Sequence, residues 1–486
     1  MTQITDHALP PQFLDRRRFL LVLAAAGGTM ASRARAQSAT RQATAAVSGP
    51  KPGEWPLFAC DVRGTRFNPD EKLIGPDTVG RLQVKWKFDQ AGGFSQTTPI
   101  VVGGALYFAA HDGFVYALDI QSGTLKWKFN AWEGIQAEKG RKPVEINTDP
   151  VGEMRGSAGY ADGRVYIGDG TARLHCLDAA TGKEIWRTAM DPDAGTNRSK
   201  ISSSPIIYGG KVYLGTSTTA GRSEVACLDA VTGAIRWRFD TVPDPKAAGG
   251  GAVWTAAALD VEQGIVYNVT GSVHGHVAGP ILFSECMIAN DMESGELLWF
   301  DQLRTNDPFD LDYSCHPILF EARDPMRPAV VRRCVGAGSK TGFYAFDRYT
   351  GERLWSASVT NGGPTLNSVA YGYDKVYMVS NAQSEHRPGL SATVALHSYT
   401  GEILWWNPND SSIQGAVAVA NGLFYQGFRD GKLEALEVET GKPMWTYKLP
   451  AARRGGITIS NGVVYTSCGV ERTPPNTLFA FSVDGK

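Results

Sequence analysis

From about residue 98 onward, apolar and polar positions alternate in short runs broken by glycine-containing turns, as in GALYFAAHDGFVYALD (104–119). A period of two between such turns predicts short β-strands joined by tight hairpins. The strands recur in a frame. YALDIQSGTLKW (116–127), HCLDAATGKEIW (175–186), ACLDAVTGAIRW (226–237), IANDMESGELLW (288–299), YAFDRYTGERLW (344–355), VALHSYTGEILW (394–405) and EALEVETGKPMW (434–445) each end on a Trp four residues after a Gly. An eighth Trp, Trp86 in LQVKWKFD, lacks the upstream half of the frame, and NTLFAFSVDGK (476–486) supplies that half without its Trp. The tryptophans stand roughly 40–60 residues apart, a period that signals a repeat architecture.

Each Thr/Ser-Gly makes the turn into an outer strand, whose Trp packs against the neighbouring sheet and needs a partner for its indole N–H. One four-stranded unit cannot bury both its faces, whereas a closed ring of units can. The expected fold is all-β: an eight-bladed propeller of four-stranded antiparallel blades over 51–486, with an N-terminal strand completing the last blade.

The first 50 residues have a different character. Asp15-Arg16-Arg17-Arg18-Phe19-Leu20 is a twin-arginine pattern followed by the apolar run 20–26 and by Ala34-Arg35-Ala36. This order of basic start, short apolar middle and A-x-A site is that of an export signal. Residues 1–36 are therefore expected to be cleaved after Ala36, with 37–50 a flexible lead-in and the mature protein in a periplasm. The apolar run is shorter than the ~20 residues that span a bilayer, so no permanent membrane anchor is expected. Removing the signal takes five arginines and two aspartates and moves the net charge from −1 to −4. A nucleic-acid partner would need a clustered basic face, and none is expected. The seven cysteines form no Cys-x-x-Cys-His, so no covalent haem is expected, and their spacing leaves disulfide pairing open.

The repeat, together with WPLFACDVRGTRFNP (55–69), resembles the pyrroloquinoline quinone (PQQ) enzyme superfamily, which includes the periplasmic alcohol dehydrogenases. The resemblance runs over essentially the whole mature chain. Its repeat specifies the propeller more strongly than the chemistry, because non-catalytic outer-membrane assembly propellers share it. MRGSAGYADGRVYIG places Arg155 on a PQQ carboxylate, where a fork-shaped cation suits an anionic cofactor. GGGAVWTAAALD (249–260) supplies Trp254, outside the repeat, as the planar floor beneath the quinone. GAGSKTGFYAFDR (336–348) places Lys340 at the quinone carbonyls, and VSNAQSEH (379–386) offers Asn381 as a further partner.

NDPFDLD (306–312) resembles the family's His-Asp-x-Trp-Asp-Tyr-Asp. The match makes Asp310 the catalytic base and puts Asp312 where lanthanide-type members carry an extra acidic ligand. In an extended segment, residues two apart share a side, so both carboxylates can meet one hard cation. Two positions depart from the family: its metal-ligating Glu falls near Thr218 and its Asn on Ser272, both neutral hydroxyl donors. The resemblance implies PQQ with Ca²⁺ or a lanthanide held by Asp310, Asp312, Ser272 and Thr218. It also implies a small alcohol as substrate and a separate cytochrome c or other electron acceptor. Two other readings compete with it: a non-catalytic envelope binding or assembly propeller, and a lyase or hydrolase using the aspartates and His274 and His276.

Overall fold

The computed structural model describes residues 51–89, 97–131, 154–191, 199–218, 223–243, 251–272, 281–305, 307, 311–359, 368–380, 383–384, 387–388, 391–469 and 475–486. They build eight antiparallel blades: blade 1 over 100–130, blade 2 over 159–189, blade 3 over 206–240 and blade 4 over 258–302. Blades 5 to 8 follow over 318–357, 370–409, 418–448 and 458–483. Blade 8 has three strands of its own and takes its outer strand from Leu82–Asp89, which pairs antiparallel with Thr477–Val483. The ring closes as the sequence predicts. One strand was not foreseen: Phe67–Asn68 runs parallel to Val419–Ala420 and makes blade 7 five-stranded.

The repeat has a direct physical meaning. The indole N–H of Trp86, Trp127, Trp186 and Trp237 donates to the carbonyls of Ile120, Ala179, Ala230 and Met292 in the following blade, at 2.9 to 3.3 Å. Trp299, Trp355 and Trp405 do the same to Arg348, Ser398 and Val438. The glycine of each receiving turn lies against the indole, and in its positive-φ conformation it needs no Cβ there. At Gly233, with φ of 74°, a Cβ would stand 2.6 Å from the Trp186 ring. The Asp that opens the frame closes the turn, since Asp229 accepts the N–H groups of Val231 and Thr232 at 2.9 Å. Arg236 and those N–H groups hold its carboxyl down at about 2. Where the frame has His397, its Nδ1 accepts the Tyr399 N–H in the same way.

Tyrosines missed in the sequence reading share this joint. Tyr166 and Tyr267 donate to the carbonyls of Ala230 and Arg348 that the tryptophans use. Gly233→Ala is expected to lower stability by roughly 2–4 kcal/mol through backbone strain and overpacking. The check is the urea midpoint; an unchanged midpoint contradicts the joint.

The segment 55–68 crosses the innermost strands. Carbonyls of Pro56, Val62, Arg63, Thr65 and Arg66 accept the N–H groups of Tyr160, Leu259, Leu319, Tyr371 and Val419, in blades 2, 4, 5, 6 and 7. Trp55 bridges Val101 of blade 1, and Asn68 Nδ2 donates to Ile459 of blade 8 at 2.8 Å. One peptide thereby ties seven blades together.

All seven cysteines are buried free thiols, which settles the pairing the sequence left open. Burial pushes the Cys315 thiol up to about 12. Among the described residues no helix is long and apolar enough to cross a membrane.

Candidate active site

In an antiparallel four-stranded blade, the hairpin between strands two and three points to the same end as the linker to the next blade. Segments far apart in sequence therefore converge. Trp254 lies on the linker from blade 3 to blade 4 and Ser272 follows the second strand of blade 4. Asp312 lies on the linker from blade 4 to blade 5 and Lys340 in the blade 5 hairpin.

The linker that carries Trp254 is anchored on both sides of the indole. Gly251, at a φ of 59°, accepts the Thr241 hydroxyl at 2.7 Å, and a Cβ on it would stand 2.6 Å from the Thr241 carbonyl. The Val253 N–H donates to Thr216 at 3.0 Å, and the Gly271 N–H donates to Ala252 at 2.8 Å. Trp254 is left half-buried beside an axial cavity that it lines with Arg155, Thr255, Ser314, His316 and Phe58. Arg155 is exposed at this cavity. Phe58 brings the crossing peptide to the same cavity. His316 is buried and pushed down to about 3, so its ring is neutral and Nε2–H donates to the Gly64 carbonyl at 2.8 Å.

Asp312 and Lys340 are both buried and form an ion pair, Nζ to Oδ1, of 2.7 Å. The Lys340 N–H also donates to the Asp312 carbonyl at 3.1 Å, so the pair is fixed through backbone as well as side chain. Asp312 Oδ2 turns towards Gly271. A Cβ there would lie 2.9 Å from Oδ2 and 3.3 Å from Trp254 Nε1. The bare backbone of Gly271 thus lets carboxylate and indole approach each other.

The structure brings Trp254, Asp312 and Lys340 together with the Gly271–Ser272 turn, and it puts Arg155 on the cavity that Trp254 lines. Ser272 is buried. Thr218 lies in Ser217–Thr218, paired with Ser199–Lys200, and its side chain is outside the described set. Asp310, Asn381, His274 and His276 also lie outside the described residues. The residues present fit an anionic planar cofactor and a hard cation: a flat indole, two basic groups, and a carboxylate turned towards a hydroxyl-bearing turn.

Glu285 and Arg304 were missed by sequence reasoning. Arg304 Nη1 meets Glu285 Oε2 at 2.9 Å. Burial first, then a hydrogen bond and charge from Asp307, push the Glu285 carboxyl up to about 8, against the pull of Arg304. A carboxyl raised above its ordinary 4.5 binds more protons folded than unfolded, so its contribution to stability is lost as pH rises from about 4.5 to about 8. Glu285→Gln is expected to flatten that part of the slope, checked by urea unfolding at pH 5 and pH 8. The one hint in the sequence was Arg304 itself, a lone cation just ahead of three aspartates.

Residues 55–360 match the family model described as glucose/ethanol/alcohol dehydrogenase, beta-propeller domain, and residues 390–486 match that of outer membrane protein assembly factor BamB. A polyvinylalcohol dehydrogenase from Pseudomonas sp is 26% identical over 82% of this chain and 68% of its own. The quinohemoprotein alcohol dehydrogenase ADH-IIG of Pseudomonas putida is 27% identical over 83% of this chain and 69% of its own. A europium-containing methanol dehydrogenase superposes with a TM-score of 0.75 at 18% identity, covering 89% of this chain and 98% of that one, a likeness of fold.

Proposed function

Because the chain belongs to the PQQ-type alcohol dehydrogenase β-propeller family, we propose that it oxidises an alcohol to the aldehyde or ketone. The observation that carries this reading is the convergence of Trp254, Lys340 and Asp312 at one end of the ring. Trp254 offers a flat apolar surface on which a planar cofactor would rest, with Arg155 and Lys340 to hold its anionic and carbonyl edges and Asn381 to add a hydrogen bond. Asp312, Ser272, Thr218 and Asp310 would supply the oxygen donors for Ca²⁺ or a lanthanide. When bound, PQQ and its metal supply an electron-accepting carbonyl polarised by a Lewis acid. Asp310 takes the proton of the substrate hydroxyl. Lys340, buried and cationic, stabilises negative charge that develops near its Nζ.

The twin-arginine segment supports export to a periplasm, and the electrons pass to a separate cytochrome c or other acceptor. The protein purified without cofactor, then given PQQ with CaCl₂ or LaCl₃, is expected to reduce a dye when supplied with alcohols from ethanol to polyvinyl alcohol. Asp310→Ala is expected to abolish the activity. Asp312→Ala should cost more with lanthanum than with calcium. A protein that shows neither dye reduction nor quinone absorbance under either metal is not this enzyme.

The match of residues 390–486 to the assembly-factor model supports a second reading, a non-catalytic envelope binding module. That reading predicts no quinone absorbance after reconstitution, so the same experiment separates the two.

A further inference from the structure

We infer that Arg304, acting with Glu285 and Asp307, is a clasp that positions Leu311 and Asp312 against the Lys340 hairpin. Its catalytic consequence rests on the dehydrogenase reading above; its geometry does not. Arg304 sits just past the outer strand of blade 4, and its guanidinium reaches three elements. Nη1 meets Glu285 Oε2 at 2.9 Å and the Leu311 carbonyl at 3.2 Å, while Nη2 reaches Thr341 Oγ1 at 3.2 Å. Thr341 lies next to Lys340 and is itself tied to Ser339 Oγ at 2.8 Å and the Tyr344 hydroxyl at 3.1 Å. The fork therefore spans from blade 4 to the hairpin of blade 5.

Asp307 works from the other side. Its Oδ2 accepts the Leu311 N–H, and its carboxylate lies close enough to Glu285 to help raise that carboxyl. Both backbone polar groups of Leu311 are thus taken by side chains, and the next carbonyl, that of Asp312, accepts the Lys340 N–H at 3.1 Å. Glu285 connects this clasp to the other wall of the site, because its N–H donates to the Gly271 carbonyl at 3.1 Å and its carbonyl accepts the Leu303 N–H at 3.0 Å. A planar five-donor fork suits this task, and a lysine ammonium cannot reproduce its geometry. The blades are held by their own ladders, so the clasp acts on the linker.

The test is amide hydrogen exchange, read residue by residue on full-length Arg304→Met and Asp307→Ala, with thermal midpoints alongside. Expected are at least tenfold faster exchange at the Leu311 and Lys340 amides, unchanged exchange at the Trp299 amide, and a midpoint within a few degrees of the wild type. Arg304→Lys should leave the Leu311 amide fast. In the reconstituted enzyme, kcat should fall at least tenfold with KM within twofold. Unchanged exchange at Leu311 in both variants overturns the clasp, as does collapse of the fold in both. A wild-type protein inert with PQQ overturns the dehydrogenase reading instead, and the exchange comparison still decides the clasp.

Discussion

Lys340→Met is expected to damage both catalysis and stability, and Lys340→Arg to damage them less. The ammonium of Lys340 lies 2.7 Å from Asp312 Oδ1, with both side chains less than a tenth exposed. Removing one partner of a buried ion pair leaves the other charge uncompensated, at a cost of roughly 3–5 kcal/mol. Asp312 then escapes the penalty only by taking up a proton, which weakens it as a donor to a hard cation. On the proposed reaction, loss of a preorganised cation at the reacting carbonyl costs on the order of 10²–10³ in kcat. Both effects have one origin, so urea unfolding and reconstituted turnover should move together. A wild-type kcat in Lys340→Met would remove Lys340 from the chemistry; a wild-type midpoint would mean that the ion pair contributes nothing to the fold.

The second large effect concerns a residue far from any proposed chemistry. Arg66 is fully buried, and its guanidinium donates to the carbonyls of Val417, Phe58 and Ile457, the last at 2.7 Å. It also packs over the rings of Phe58 and Trp55, at 4.8 and 5.3 Å. Burial lowers its pKa to about 9, still high enough to keep it charged at neutral pH. Arg66→Met keeps much of the volume but takes the guanidinium donor from the buried carbonyls of Val417 and Ile457, while the Phe58 carbonyl keeps the Trp55 indole N–H at 3.4 Å. At about 1–3 kcal/mol for each of these two unsatisfied groups, the loss is roughly 2–6 kcal/mol, a large share of the stability of an ordinary domain. The expected outcome is a much lower unfolding midpoint and rapid proteolysis near 55–68. Because Phe58 also lines the axial cavity, cofactor retention should fall as well. An unchanged midpoint would mean that the crossing peptide does not hold the ring.

The repeat was legible because its contacts are nearest-neighbour contacts. Each Trp meets the turn of the next blade, so the same few residues recur at a fixed offset, and the Asp, the Gly and the Trp each carry one part of the joint. Trp254 was legible for the opposite reason: it is the tryptophan of its stretch that the repeat does not explain. Asp307 was visible only as one of three crowded aspartates. Its contacts give it a task the motif did not, since it holds the Leu311 N–H and leaves Asp312 to the lysine. Glu285 and Arg304 carried no recognisable spacing. They act through Leu311, Thr341 and Gly271, which come from two blades and three turns.

By itself the sequence determined the blade count and the closure of the ring by Leu82–Asp89. Those features follow from local periodicity and from the alternating direction of antiparallel strands. Only the tertiary structure decided that Lys340 pairs with Asp312, that Gly271 makes room between carboxylate and indole, and that Arg66 ties the first residues of the propeller to carbonyls 351 and 391 positions away. Such contacts depend on the distance between side chains after the ring has closed, and no periodicity along the chain encodes that distance.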